Sequence, residues 1–174
     1  MEIPVKMNVD TLIHARWILP VEPENIVYEN YAIAIKDDKI KALLSSDDAR
    51  KKFTAKEEIT FKHHALIPGL INSHTHASMS LFRGLANDLP LMEWLNNYIW
   101  PAEKKWIAPE FVMDGTKLAI AEMIRSGTTC FNDMYFFPNI SAEASIDAGI
   151  RAVIGLIAIN IPTSWANNDE EYLT

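Results

Sequence analysis

From Leu66 onward the chain alternates between short apolar runs and longer amphipathic ones, and that alternation admits few folds. "ALIPGLIN" is apolar but short, and Pro68 and Gly69 make it a strand rather than a helix. "APEFVMDGTKLAIAEMIRSG" predicts a helix, with Pro109 and Glu110 in its first turn and Arg125 and Gly127 at its close. "TTCFNDMYFF" is β-branched and aromatic, which predicts a strand, and "NISAEASIDAG" predicts a second helix ending at Gly149. "RAVIGLIAI" is the near-continuous apolar strand that parallel sheets bury on both faces. Strands alternating with helices predict βα units on a parallel sheet. No short-period repeat or low-complexity segment interrupts the pattern.

Residues 1–65 have a different texture. "LIHARWIL" alternates with period two, placing Ile13, Ala15, Trp17 and Leu19 on one face and His14 and Arg16 on a polar, solvated face. "YAIAIKDDKIKALL" predicts a hairpin in which Tyr31, Ile33 and Ile35 alternate, "KDDK" turns, and Ile40, Ala42 and Leu44 return. "SSDDARKKF" predicts a short helix with Ser46 as N-cap, acidic residues at its start and basic ones at its end. "EEITFKHHALIPGLIN" is a further extended run broken at Pro68 and Gly69. The reading is therefore β-rich over 1–65 and βα from 66 to 174.

Composition narrows the function classes. The chain has 174 residues, 49% hydrophobic and 22% charged, enough for a sizeable core. Sixteen basic residues against 23 acidic give a net charge of −7 without a basic block, which argues against nucleic acid or an anionic membrane surface as partner. One cysteine, Cys130, excludes an internal disulfide and fits a reducing, cytoplasmic compartment; within its apolar strand it reads as a small buried hydrophobe. The start lacks a basic segment followed by an apolar one, so no signal peptide is expected, and no apolar run reaches the ~18 residues of a membrane span.

Five histidines occur, and none follows His76. In a strand, residues i and i+2 point to the same side, so His74 and His76 project together at the end of the apolar run. In parallel βα architectures that end is where active sites gather. Two same-facing imidazoles can chelate a divalent metal, and two histidines satisfied by ordinary hydrogen bonds fit the spacing as well. A cupin barrel also uses His-x-His, but "ASMSLFRGLAND" lacks the glutamate that would follow.

"LIPGLINSHTHASMSLFRGLANDLPLMEWL" resembles the first barrel strand and following loop of the amidohydrolase superfamily, and within it the 5′-methylthioadenosine/S-adenosylhomocysteine deaminases and their triazine chlorohydrolase relatives. The resemblance continues through "IWPAEKKW", "GTTCFNDMYF" and "RAVIGLIAINIPTSWA", covering nearly the whole chain. It implies an α/β fold, a TIM-type (β/α)₈ barrel with a small β-sandwich built from both chain ends. Residues 1–65 would be the β-sandwich segment and 66–174 about three of the eight βα units of an incomplete barrel. It implies one divalent metal, most often zinc, held by His74 and His76. A further histidine, an aspartate and a proton-transferring glutamate would lie beyond residue 174, so no catalytic acid or base is expected in this chain.

The activity the resemblance implies is hydrolytic deamination of adenine nucleoside thioethers. Another ring substrate (triazine, guanine or cytosine), or a non-catalytic remnant acting through a partner chain, are the alternatives. The chain then reads as an inactive amino-terminal portion, prone to homo-oligomerise or to associate with the missing carboxyl-terminal portion. By resemblance, Trp94 lines the nucleoside pocket and Glu103 accepts hydrogen bonds from ribose hydroxyls. A large aromatic in a core and a surface glutamate are the plainer readings of the same residues. Where some members of the family carry an arginine after the third strand, this chain has Leu156. Arg83 reads as an exposed loop residue and Asp133 as an orienting group rather than a ligand. His63 and His64 fall on opposite sides of an extended segment, which disfavours chelation by that pair.

Overall fold

The structure is a computed structural model that describes residues 5–159, 162–168 and 170–173. Two compact units divide the chain, Met1–Pro68 and Gly69–Thr174.

In the first unit β1 (Met7–Ile18), β2 (Tyr28–Lys36), β3 (Lys39–Ser45) and β4 (Phe53–Leu66) form one sheet in the order β3-β2-β1-β4. β1 and β2 pair antiparallel, as do β2 and β3, whereas β1 and β4 run parallel. The β2–β3 hairpin turns at Asp37 and Asp38, whose φ values of 50° and 60° suit the left-handed two-residue turn that matches strand twist. The Asp37 N–H donates to Asp10 Oδ2 at 2.9 Å, tying the turn to β1.

The hairpin is where the alternation predicts it, and its buried side is the alanine side. Ala32 and Ala34 are fully buried with Val9, Leu12, Ala49 and Phe53, while Ile33 and Ile35 are half-exposed. The cause is the helix α1 (Ser46–Lys52), whose Ala49 belongs to that cluster: small side chains let the helix approach the sheet closely. Its N-cap is Ser45, one residue before the expected Ser46. The Ser45 hydroxyl accepts the Asp48 N–H at 3.2 Å and donates to Asp48 Oδ2 at 2.8 Å.

His14 is not solvated, contrary to its assignment to a polar face. Its register opposite Ala32 puts it on the same side as that buried alanine, and it retains 2% exposure. Nε2 lies 3.0 Å from Glu58 Oε1, off the line of a ring N–H hydrogen bond, and Arg50 Nε approaches the same oxygen at 3.4 Å. Burial, then the Arg50 charge, pushes the imidazole below its ordinary pKa, with Glu58 pulling the other way.

The second unit has the predicted parallel pattern. β5 (Leu70–Thr75), β6 (Thr128–Met134) and β7 (Arg151–Gly155) form a parallel sheet in the order β5-β6-β7. The connection from β5 to β6 holds a 3₁₀ segment (Ala77–Phe82), α2 (Leu91–Trp94), a π-helical turn (Leu95–Ile99), α3 (Trp100–Trp106) and α4 (Pro109–Arg125). α5 (Pro138–Ala148) joins β6 to β7 and ends at Gly149, whose φ of 68° makes it a left-handed cap. α4 and α5 pack on the sheet through Ala119, Ile120, Met123, Phe131 and Ala144.

β7 is shorter than the apolar run from which it was read and is not buried on both faces, since Val153 is 60% exposed and Leu156 68%. β6 is central, with Phe131 and Asp133 sealed, but β5 and β7 are edges among the described residues. Cys130 is half-buried rather than sealed. α4 crosses the 3₁₀ segment so closely that a Cβ at Gly115 would stand 2.4 Å from the Ser78 carbonyl oxygen. No helix among the described residues is long and apolar enough to cross a membrane.

Candidate metal and substrate site

β5 ends at Thr75, so His74 is the penultimate strand residue and His76 the first residue beyond the strand. Their rings lie 5.1 Å apart between centroids, at 80° to each other, and both are exposed. His76 Nδ1 lies 2.5 Å from the Met134 carbonyl oxygen at the end of β6. With that nitrogen donating to the carbonyl, the proton is fixed on Nδ1 and Nε2 is left as a free donor atom toward a cation. An anchored imidazole of this kind is how ligating histidines are usually oriented. The His74 N–H donates to Asn72 Oδ1 at 3.3 Å, and Asn132 Nδ2 donates to the Ser73 carbonyl at 3.1 Å, stitching the ends of β5 and β6 together.

Asp133 sits beneath this pair, 1% exposed, and its Oδ1 accepts the Ala77 N–H at 2.7 Å. Burial pushes its carboxyl up, opposed by the Ala77 N–H, the Ser141 hydroxyl and the nearby His76. Its bond to Ala77 holds the backbone immediately after His76. The pair of imidazoles therefore fits a metal only as part of a ligand set. Among the described residues no group of three or more histidine, cysteine, aspartate or glutamate side chains is close enough to hold one.

A cavity of about 530 Å³ is lined by Trp100, Glu103, Lys104, Phe136, Ile159 and Pro162 with Thr163 and Ser164. Glu103 Oε1 accepts the Tyr135 hydroxyl at 2.6 Å. Burial pushes the Glu103 carboxyl up, against the pull of that hydroxyl and of His76. Burial, then the Glu103 bond, pushes the Tyr135 phenol far above its usual range. The Tyr135 and His76 ring centroids are 6.0 Å apart, so one aromatic residue links His76 to the carboxylate.

Glu103 is thus brought to the cavity wall, and Trp94 is not: it is half-buried in α2, and Trp100 of α3 supplies the aromatic wall instead. Arg83 is held away in a two-pronged ion pair with Glu122, at 2.8 and 2.7 Å. His63 and His64 are exposed on β4. The sequence reading missed Tyr135 and the Met134 carbonyl. Their signal was position, since both fall where β6 ends, beside the end of β5.

The model of the amidohydrolase family matches residues 65–173. The chain belongs to the amidohydrolase family. A 5-methylthioadenosine/S-adenosylhomocysteine deaminase of Saccharophagus degradans is 49% identical over 168 residues, which are 97% of this chain and 38% of the deaminase. An adenosine deaminase from Xanthomonas campestris, solved with bound zinc, superposes with a TM-score of 0.93 at 47% identity, again over 97% of this chain and 38% of the other. An atrazine chlorohydrolase from Arthrobacter aurescens, also complexed with zinc, shares the fold at a TM-score of 0.71 and 21% identity, over 82% of this chain and 34% of its own. This amidohydrolase chain therefore spans somewhat over a third of the length of the relatives it matches, with the mixed α/β fold of zinc-bound members of the family.

Proposed function

We propose that this chain forms the amino-terminal part of a metal-dependent deaminase acting on adenine nucleosides of the methylthioadenosine and adenosylhomocysteine type. The observation that carries the reading is the pair of imidazoles at the end of β5, one of them pinned by a backbone carbonyl of the adjacent parallel strand β6 with its Nε2 free. The likeness to deaminases across almost the whole chain supports it. In this reading residues 1–65 belong to a β-sandwich and 66–174 form the first three βα units of a (β/α)₈ barrel. The carboxyl-terminal part would close that barrel and supply the remaining ligands.

His74 and His76 would hold the metal, for which we propose zinc. Bound there, it supplies Lewis acidity that brings the pKa of a water toward ~7. The reaction adds water at the amino-bearing ring carbon and releases ammonia. The residues of this chain position the substrate for that step. His76 is kept in one tautomer by Met134, and Asp133 fixes the turn that follows it. Glu103 presents a carboxylate to the vicinal hydroxyls of the ribose, while Trp100 and Phe136 offer apolar surface to the base or the thioether.

The test is ammonia release from methylthioadenosine by the complete enzyme, compared with release from melamine-type triazines, guanine and cytosine. A kcat/KM for the nucleoside at least ~100-fold above the others supports the reading. Preference for a ribose-free ring would overturn it.

A further inference from the structure

Tyr135 occupies a place that no catalytic step in this reading uses. It is 5% exposed at the end of β6, its ring lies against His76, and its hydroxyl donates to Glu103 Oε1 at 2.6 Å. Glu103 comes from α3, an element far along the chain from β6 and joined to it here by this bond. A glutamate side chain has three rotatable bonds, and a carboxylate on a cavity wall would sample several orientations if nothing held it. One donor on Oε1 removes that freedom and leaves Oε2 and the remaining lone pair of Oε1 for a ligand. The bond ties the carboxylate of α3 to the residue that follows β6, so the two elements set its orientation together.

We propose that Tyr135 is a positioning residue for sugar recognition: it locks Glu103 so that the carboxylate meets two adjacent hydroxyls at once, and it registers that carboxylate against His76. The proposal rests on the nucleoside reading above and adds to it the residue that sets discrimination for the ribose diol. Two hydroxyls gripped by one fixed carboxylate form a rigid fork, and a mobile carboxylate would grip one at a time. Ribosides would then be favoured over sugars lacking either hydroxyl, with Tyr135 contributing to the preference only through Glu103.

The experiment measures kcat/KM in the complete enzyme for an adenine ribonucleoside and its 2′,3′-dideoxy analogue, in the parent, Tyr135→Phe, Glu103→Gln and the double variant. The ratio of the two values is internal to each preparation, so a variant that folds only in part still reports it. Tyr135→Phe should lower the ratio about tenfold, mostly through KM for the riboside. Glu103→Gln should lower it at least as far, and adding Tyr135→Phe to that variant should change it less than about twofold. A ratio untouched by Tyr135→Phe, or a further full drop in the double variant, overturns the role of Tyr135 while leaving the nucleoside reading standing. A ratio untouched by Glu103→Gln overturns the sugar role of Glu103 itself, and with it the proposal.

Discussion

Gly115→Ala isolates the contact that sets the helix α4 against the 3₁₀ segment that follows the histidines. In an open helix the change would be favourable by about 1 kcal/mol, because alanine is the better helix former. Here the new methyl would stand 2.4 Å from the Ser78 carbonyl oxygen, 2.8 Å from its Cα and 2.9 Å from its carbonyl carbon. All three are backbone atoms, so no side chain can swing aside, and α4 or the 3₁₀ segment must shift. Overpacking of this kind costs ~1–3 kcal/mol, and the rigidity of the neighbour argues for the upper end. The net expectation is a loss of about 1–2 kcal/mol, equivalent to a drop of roughly 2–8 °C in Tm for a protein of ordinary domain size. Ser78 lies two residues beyond His76, so the same shift should re-aim that imidazole and reduce bound metal. Thermal unfolding by circular dichroism and elemental analysis of the same preparation read both effects. An unchanged or raised Tm with full metal content would show that the close approach of α4 does not constrain the site.

Two further outcomes follow from the charged residues. Glu103→Gln should weaken ribonucleosides by on the order of 1.5–3 kcal/mol in transition-state binding and spare ribose-free substrates; equal losses in steady-state kinetics would make Glu103 structural. His14 has its pKa lowered in the folded protein by burial and by Arg50. The unfolded chain therefore binds the proton more readily, and stability is full above the ordinary imidazole value of 6.5 and declines as pH falls below it. Urea unfolding of the protein and of His14→Leu between pH 7.5 and 5 should give a flatter profile for the variant, and parallel profiles would remove His14 as the cause.

The parallel half of the fold was legible because each of its elements carries its own punctuation. Pro109 and Gly127 bracket α4, Gly149 ends α5, and β-branched runs fall between them. Faces were less legible than elements. In β2 the alternation separates Ile33 and Ile35 from Ala32 and Ala34 without saying which side is buried, and α1 docks on the alanine side, a fact of tertiary packing that period-two alternation cannot carry. The same docking buried His14. β7 was read as doubly buried from its apolar run, and what decides its burial is the number of neighbouring strands. At the site, the histidine pair was visible from spacing and Glu103 from resemblance. Tyr135 was hidden because a tyrosine at the end of an aromatic strand differs in no local way from a core residue. Its meaning comes from α3, which brings Glu103 to its hydroxyl across 32 residues of sequence.

The central claim is that His74 and His76 hold the metal. It is tested most directly by elemental analysis of the complete enzyme carrying His74→Ala and His76→Ala together, with methylthioadenosine turnover measured on the same samples. The account predicts that metal falls to a small fraction of one equivalent and that turnover falls with it, while circular dichroism still reports a folded protein. One full equivalent of metal retained by the double variant would contradict it.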